Sequence, residues 1–119
     1  MNLEVKLTRE VKLEEIDNMI FGTGALGYGW WGSVTKRDDG MYVFTHDDGN
    51  SDEGAHDKQT VVSPAGIVGA AGIWLAEQVK NGGMNGDIRD AIDDDLGYLD
   101  AYAADCVLQQ AVLKSIVFG

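Results

Sequence analysis

Cations are scarce in this chain: 9 lysines and arginines stand against 20 aspartates and glutamates, a formal charge of −11. A duplex or single-strand nucleic-acid binder needs a basic footprint to displace counterions, so direct nucleic-acid binding is excluded as an expectation. There is one cysteine, Cys106, so one chain can form neither an internal disulfide nor a thiolate zinc cluster. Cys106 lies among Tyr102, Ala103, Val107 and Leu108, which reads as a buried helical position rather than a reactive thiol. No apolar run approaches the ~18 residues of a membrane span. The first ten residues mix both charge signs with alternating apolar positions, unlike a signal peptide. A cytoplasmic setting is the expectation.

The chain is rich in glycine, and 119 residues suffice for one core. We expect a single domain over 1–119. Phe21 to Val34 concentrates five of the 16 glycines and two of the three tryptophans. Its Gly22-x-Gly24-x-x-Gly27 matches the dinucleotide-binding spacing. That fingerprint needs a strand before it and a helix after it, so that the pyrophosphate meets a helix N-terminus. Here a helical pattern precedes and a strand pattern follows, which removes the nucleotide reading.

Asn2 to Glu10 alternates with period two and reads as one strand. Leu13, Ile16, Met19 and Ile20 fall on one helical face, with Glu14, Glu15 and Asp17 early in the helix, where its dipole favours them. Asp38-Asp39-Gly40 is a hairpin turn between a strand from Gly27 to Arg37 and a return strand Met41 to Thr45. Thr60-Val61-Val62 suits a short third strand. Ser63-Pro64 starts a helix running to Lys80, with Ile67, Val68, Ala71, Trp74, Leu75 and Val79 as its apolar stripe. Gly66, Gly69 and Gly72 recur three apart in it, each costing about 1 kcal/mol of propensity, which implies close approach of another backbone. A short helix capped by Asp87 and a last helix from Leu99 to Phe118, burying Tyr102, Ile116 and Val117, complete the chain. The expected fold is α+β: a small antiparallel sheet, at least the Gly27–Phe44 hairpin with the N-terminal strand as a possible addition, packed by three to four helices.

Chemistry-bearing patterns are few. Asp47 to Gly54 is oxygen-rich like a calcium loop, but its turn glycine is displaced and Gln59 stands where a bidentate Glu belongs. His46 and His56 beside it are weak zinc ligands by spacing. No nucleophile motif, phosphate loop or carboxylate pair in an apolar cleft is present, so the expectation is a non-enzyme without cofactor or metal. Asp87, Asp90, Asp93, Asp94 and Asp95 form the densest acidic patch, a solvated face or a docking face for a basic protein groove. Tyr28, Trp30 and Trp31 offer rigid aromatic surface. Neighbouring strand residues point to opposite faces, so one tryptophan is expected to be exposed or held in a contact with a partner.

Three segments together resemble a family of small uncharacterised proteins encoded by phages and related actinobacterial elements. They are Ile16 to Trp31, Val62 to Gly82, and Asp100-Ala101-Tyr-Ala-Ala104-Asp105 with Gln109, Ala111 and Phe118-Gly119. This chain has Gly-Tyr-Gly-Trp-Trp in place of a plain Tyr-Trp, and Leu113-Lys114 in place of Phe-Gly. The resemblance implies a phage protein in the host cytoplasm, of a size common among antagonists of bacterial defence. The leading expectation is therefore an acidic inhibitor that binds a host protein through Tyr28, Trp30, Trp31 or the Asp87–Asp95 patch. A homo-oligomeric sponge for a small or nucleotide signal is the alternative, with Lys36, Arg37 and Arg89 as the few candidate cations for a nucleotide. A virion or structural role is the third reading.

Overall fold

The computed structural model describes residues 2–4, 8–47, 56–83 and 85–118. The fold is α+β, as expected. Strand β1 (Asn2–Glu4) pairs antiparallel with β2 (Thr8–Glu10), Leu3 opposite Arg9. The N-terminal stretch is thus two strands in a sheet of their own, not one strand added to the main sheet. Alternation is the same on both arms of a hairpin, and no Gly, Pro or Asn marks the change of direction.

Helix α1 (Leu13–Gly22) buries Ile16, Met19 and Ile20 as its spacing requires, and Glu15 with them. Leu13, expected on the same face, is half exposed at the first helical position. A three-residue 3-10 turn, Ala25–Gly27, follows Gly24, whose φ of +89° lies where glycine is favoured. The next strand, β3 (Trp31–Lys36), starts four residues later than the alternation suggested. Gly27 instead closes the 3-10 turn and residues 28–30 form a further turn, with the Trp31 N–H donating to the Tyr28 carbonyl at 3.2 Å.

The Asp-Gly hairpin forms where expected, with Gly40 at φ +87° between β3 and β4 (Tyr42–His46). Strand β5 (Lys58–Val62) pairs antiparallel with β4, giving the order β3-β4-β5. The β3–β4 register shifts between Trp31 and Val34. Gly32 sits in that irregularity, and a Cβ there would collide with the Thr45 hydroxyl and the His56 side chain. Tyr42 and Phe44 carry the sheet's inner face, with Trp31 beside them.

Helix α2 (Pro64–Lys80) opens with the Ser63 hydroxyl accepting from the Gly66 N–H at 3.0 Å. It packs along α4 (Ala101–Leu113), and α4 reaches β5. No second backbone approaches α2 at two of its glycines. A Cβ at Gly69 would meet nothing within 4 Å, and one at Gly66 would meet only the side chains of Val62 and Ser63. Gly69→Ala should therefore raise folding stability by about 1 kcal/mol, since only helix propensity changes. Urea denaturation should show a higher midpoint with an unchanged slope; a lower midpoint would reveal a contact at that face.

Helix α3 (Gly86–Asp93) is capped by Asn85, not Asp87: the Asn85 Oδ1 accepts from the Ile88 N–H at 2.9 Å. Both residues suit the role, and tertiary packing of Ile88, Ala91 and Ile92 selects the earlier one. A second 3-10 turn, Leu96–Tyr98, lies against α1. The last helix is shorter than its apolar periodicity implied. It runs from the Asp100 cap to Leu113 and stops where Lys114 takes φ +66°. Ile116 and Val117 therefore leave the helical face and are exposed, as is Tyr102.

Candidate interaction surfaces

The two adjacent tryptophans converge on one carboxylate. Trp30 Nε1 donates to Asp105 Oδ1 at 2.8 Å, and Trp31 Nε1 donates to the same oxygen at 2.6 Å. The other oxygen, Oδ2, accepts from Gln109 Nε2 at 2.8 Å, one turn further along α4. Asp105 and Gln109 are both buried, yet every acceptor and donor they present is used. Gln109 Oε1 accepts from the backbone N–H groups of Val117 (2.8 Å) and Phe118 (2.9 Å), while its amide also reaches the Phe118 carbonyl at 3.2 Å. The Phe118 ring then stacks on Trp30 at 5.1 Å, and Tyr28 stacks on Trp30 at 4.9 Å.

The expectation that Trp30 and Trp31 point to opposite faces is corrected by this geometry. Trp30 precedes the strand and belongs to a turn, so strand alternation does not govern it. That turn is clamped from just after β4 and just before β5: the Asp47 N–H donates to the Trp30 carbonyl at 2.9 Å, and His56 Nε2 donates to the Gly29 carbonyl at 2.9 Å. Trp31 is buried against Phe44, while Trp30, Tyr28 and Phe118 are half-buried as a three-ring stack at the rim. Trp30, Asp105, Gln109 and Phe118 come from two of the segments on which the family resemblance rests. Here they build one hydrogen-bonded support for the tail rather than an open cavity.

The acidic residues expected to act together are divided by the structure. Asp87, Asp90, Asp93 and Asp94 are exposed on and just after α3. Asp95 is half-buried, and its Oδ1 accepts from the Gly97 N–H at 2.7 Å, so it holds the second 3-10 turn. Beside them runs a cleft of about 240 Å³ shared with Arg9, Glu10, Lys12, Glu14 and Glu15.

Lining that cleft is an ion pair between half-buried Arg9 and buried Glu15 that no sequence pattern indicated. Arg9 grips Glu15 with two bonds, NH2 to Oε1 at 2.7 Å and NH1 to Oε2 at 3.0 Å. The same guanidinium donates to the Ala91 and Ile92 carbonyls, each at 2.8 Å, at the C-terminal end of α3. Glu15 also accepts from the N–H groups of Lys12 and Leu96 at 3.0 Å each. Burial pushes the Glu15 carboxyl up, but Arg9 and the two amides more than offset it and hold it below the ordinary value. An isolated Arg-Glu pair six residues apart carries no signal, because its partners are brought in from over 80 positions away.

The candidate cations do not converge. Lys36 pairs with Asp17 at 3.1 Å, Arg37 pairs with Asp39 beside the hairpin turn, and Arg89 is exposed on α3. Asp17 also accepts from the Tyr42 hydroxyl, whose titration is pushed upward by burial and by that carboxylate. The glycine run around Gly24 leads into a three-residue turn and a strand, so no helix N-terminus faces it. Cys106 is buried, and burial raises its thiol above the ordinary value, consistent with an inert packing role.

His46 Nδ1 donates to the Asp47 carbonyl at 2.7 Å and its Nε2 meets the Thr60 hydroxyl at 2.8 Å, which occupies both ring nitrogens. Asp47 Oδ1 accepts from the His56 N–H at 2.8 Å. The rest of the calcium-like stretch, 48–54, lies outside the described residues. Among the described residues, no group of three or more His, Cys, Asp or Glu side chains could hold a metal ion. Compared with protein-family models, with curated proteins and with solved structures, the chain matches none.

Proposed function

We propose that this chain acts by binding a basic protein surface, as a non-enzymatic, phage-encoded inhibitor of a host defence factor in the host cytoplasm. The observation that carries the binding reading is the display of Asp87, Asp90 and Asp93 on one eight-residue helix, with Asp94 just after it, in a chain with net charge −11. Asp90 and Asp93, one turn apart towards the C-terminal end of α3, repel one another and oppose the helix dipole, whereas a basic partner would be steered and oriented by them. The phage and anti-defence setting rests on the sequence resemblance alone. The half-buried stack of Tyr28, Trp30 and Phe118 is a second, more apolar candidate surface. Among the described residues no helix is long and apolar enough to cross a membrane.

The sponge reading is disfavoured, because Lys36 and Arg37 are spent on separate local ion pairs away from Arg89. The test is capture of host proteins by the full chain and by an Asp90→Lys, Asp93→Lys, Asp94→Lys variant, with native mass spectrometry of the products. The wild-type complex should weaken as salt rises from about 0.05 to about 0.5 M, as screened charges require. The reversed variant should bind at least about tenfold more weakly, a loss of ~1.4 kcal/mol. Its own folding stability should hold or rise, since cations at the C-terminal end of α3 suit the helix dipole and the excess negative charge of the chain falls. Equal capture by both proteins at all salt concentrations sinks the reading.

A further inference from the structure

A second cleft, of about 110 Å³, opens where α2, α3 and α4 meet and shares only Asp87 with the acidic patch described above. Two of its walls are aromatic, Trp74 and Tyr102, and two are carboxylates, Asp87 and Asp100, with Gln78 at the α2 side. Trp74 is almost fully covered, whereas Tyr102 is 57% exposed, so the rings form one fixed wall and one open one.

The free acceptors can be counted from the hydrogen bonds. Asp100 spends only Oδ1, on the Ala103 N–H at 2.7 Å, which leaves its second oxygen for another donor. The Asn85 oxygen is already taken by the Ile88 N–H, so it adds nothing to the cleft. Asp87 is exposed in the first turn of α3, with both oxygens available. Among the described residues, no lysine or arginine lines the cleft to neutralise these groups. The N-termini of α3 and α4 each contribute about half a positive charge and the C-terminus of α2 about half a negative one. Two full carboxylate charges outweigh that balance, so the cleft favours a cation.

We infer that this cleft receives the guanidinium of an arginine side chain from a basic protein partner. The inference rests on the proposed binding role and names the group the partner must present. A guanidinium is planar, stacks on indole and phenol rings, and carries five donors in a fork that matches carboxylate oxygens. An ammonium is a compact, more strongly hydrated charge that gains less from two rings. The cleft adjoins the acidic helix at Asp87, so the long-range attraction of α3 and the short-range slot act on one partner.

The probe is N-ethylguanidinium, titrated into the isotope-labelled full chain while the indole N–H signal of Trp74 is followed by NMR. Saturable binding at about millimolar concentration is expected, the strength of a single small cation in a partly open site. Asp87→Asn with Asp100→Asn should weaken it at least about tenfold; asparagine retains the helix-capping oxygen, so the fold is kept. Tyr102→Leu, at an exposed ring, should weaken it as well. Asp38→Asn, in the exposed hairpin turn outside the cleft, should change it less than about twofold by loss of background attraction.

No saturable shift at Trp74, or equal binding by the Asp87/Asp100 variant, would overturn the inference. Equal affinity for ethylammonium would overturn the assignment to arginine. The small-cation titration does not involve the protein partner, so it separates the two ideas. Guanidinium binding with a charge-reversed α3 that still captures its partner would leave the cleft standing and remove the role assigned to the acidic helix. The opposite pair of results would remove the cleft alone.

Discussion

Asp105→Ala should cost on the order of 4 kcal/mol of folding stability, a large share of the ~5–15 kcal/mol that holds a domain of this kind together. The loss is large because one carboxylate serves three N–H donors, from Trp30, Trp31 and Gln109. Alanine leaves the Trp31 indole N–H and one of the two Gln109 amide N–H groups buried without an acceptor, each at about 1–3 kcal/mol, while water can reach the half-buried Trp30. Asparagine is the informative control. Its one oxygen can still accept from both indoles, but its amide faces the Gln109 amide, donor against donor. Flipping Gln109 would relieve that clash only by breaking its bonds to the N–H groups of Val117 and Phe118.

Asp105→Asn is therefore expected to lose about 1–3 kcal/mol and to release the tail, so that Trp30 loses its stacked Phe118. Urea denaturation followed by tryptophan fluorescence measures the first effect, and near-ultraviolet circular dichroism reports the second. Near-wild-type stability in Asp105→Ala would mean that the node is decoration.

Arg9→Ala is the second large effect, expected at about 3–5 kcal/mol near neutral pH, because removing one partner of a buried pair strands the other charge. Glu15 is only 4% exposed, and the carbonyls of Ala91 and Ile92 lose their donor in the same step. The pH dependence distinguishes this from a simple packing loss. In the wild type the Glu15 carboxyl is held below its ordinary value of 4.5, so its contribution is present above that pH and is lost as pH falls through the lower folded value.

Without Arg9, burial opposes only the N–H groups of Lys12 and Leu96, and the carboxyl titrates higher. The stability gap between wild type and Arg9→Ala should thus be widest near pH 7 and narrow below about 4.5. Arg9→Ala combined with Glu15→Gln should recover part of the loss, since a neutral amide can keep one amide contact without a buried charge. A gap independent of pH would show that the guanidinium acts only by filling space.

Much of the fold was legible because local chemistry dictated it. Ser63-Pro64 set the start of α2, Asp39-Gly40 set the hairpin, and the spacing of Ile16, Met19 and Ile20 set the buried face of α1. Those signals act within four residues, where propensity, capping and turn geometry operate. Errors came where one pattern serves two structures. Alternation in residues 2–10 describes a single strand and a hairpin equally well. Apolar periodicity continues through Ile116 and Val117, although the left-handed Lys114 ends α4 before them. The glycines of α2 suggested a close backbone, yet Gly69 faces open space.

By itself the sequence determined the charge, the fold class, the exclusion of disulfide scaffolds and the identity of the residues worth attention. Trp30, Trp31 and the aspartates after residue 86 stood out in composition alone. Only the tertiary structure decided what they do, because their partners lie far away in the chain. Trp31 meets Asp105 across 74 positions, and Arg9 meets Ala91 across 82. A hydrogen bond depends on placement within a few tenths of an ångström, and no periodicity in the sequence carries that information over such separations. The same closure sorted the acidic residues, leaving Asp90, Asp93 and Asp94 in solvent, tying Asp95 into a turn, and setting Asp87 beside Trp74 and Tyr102 in a cleft.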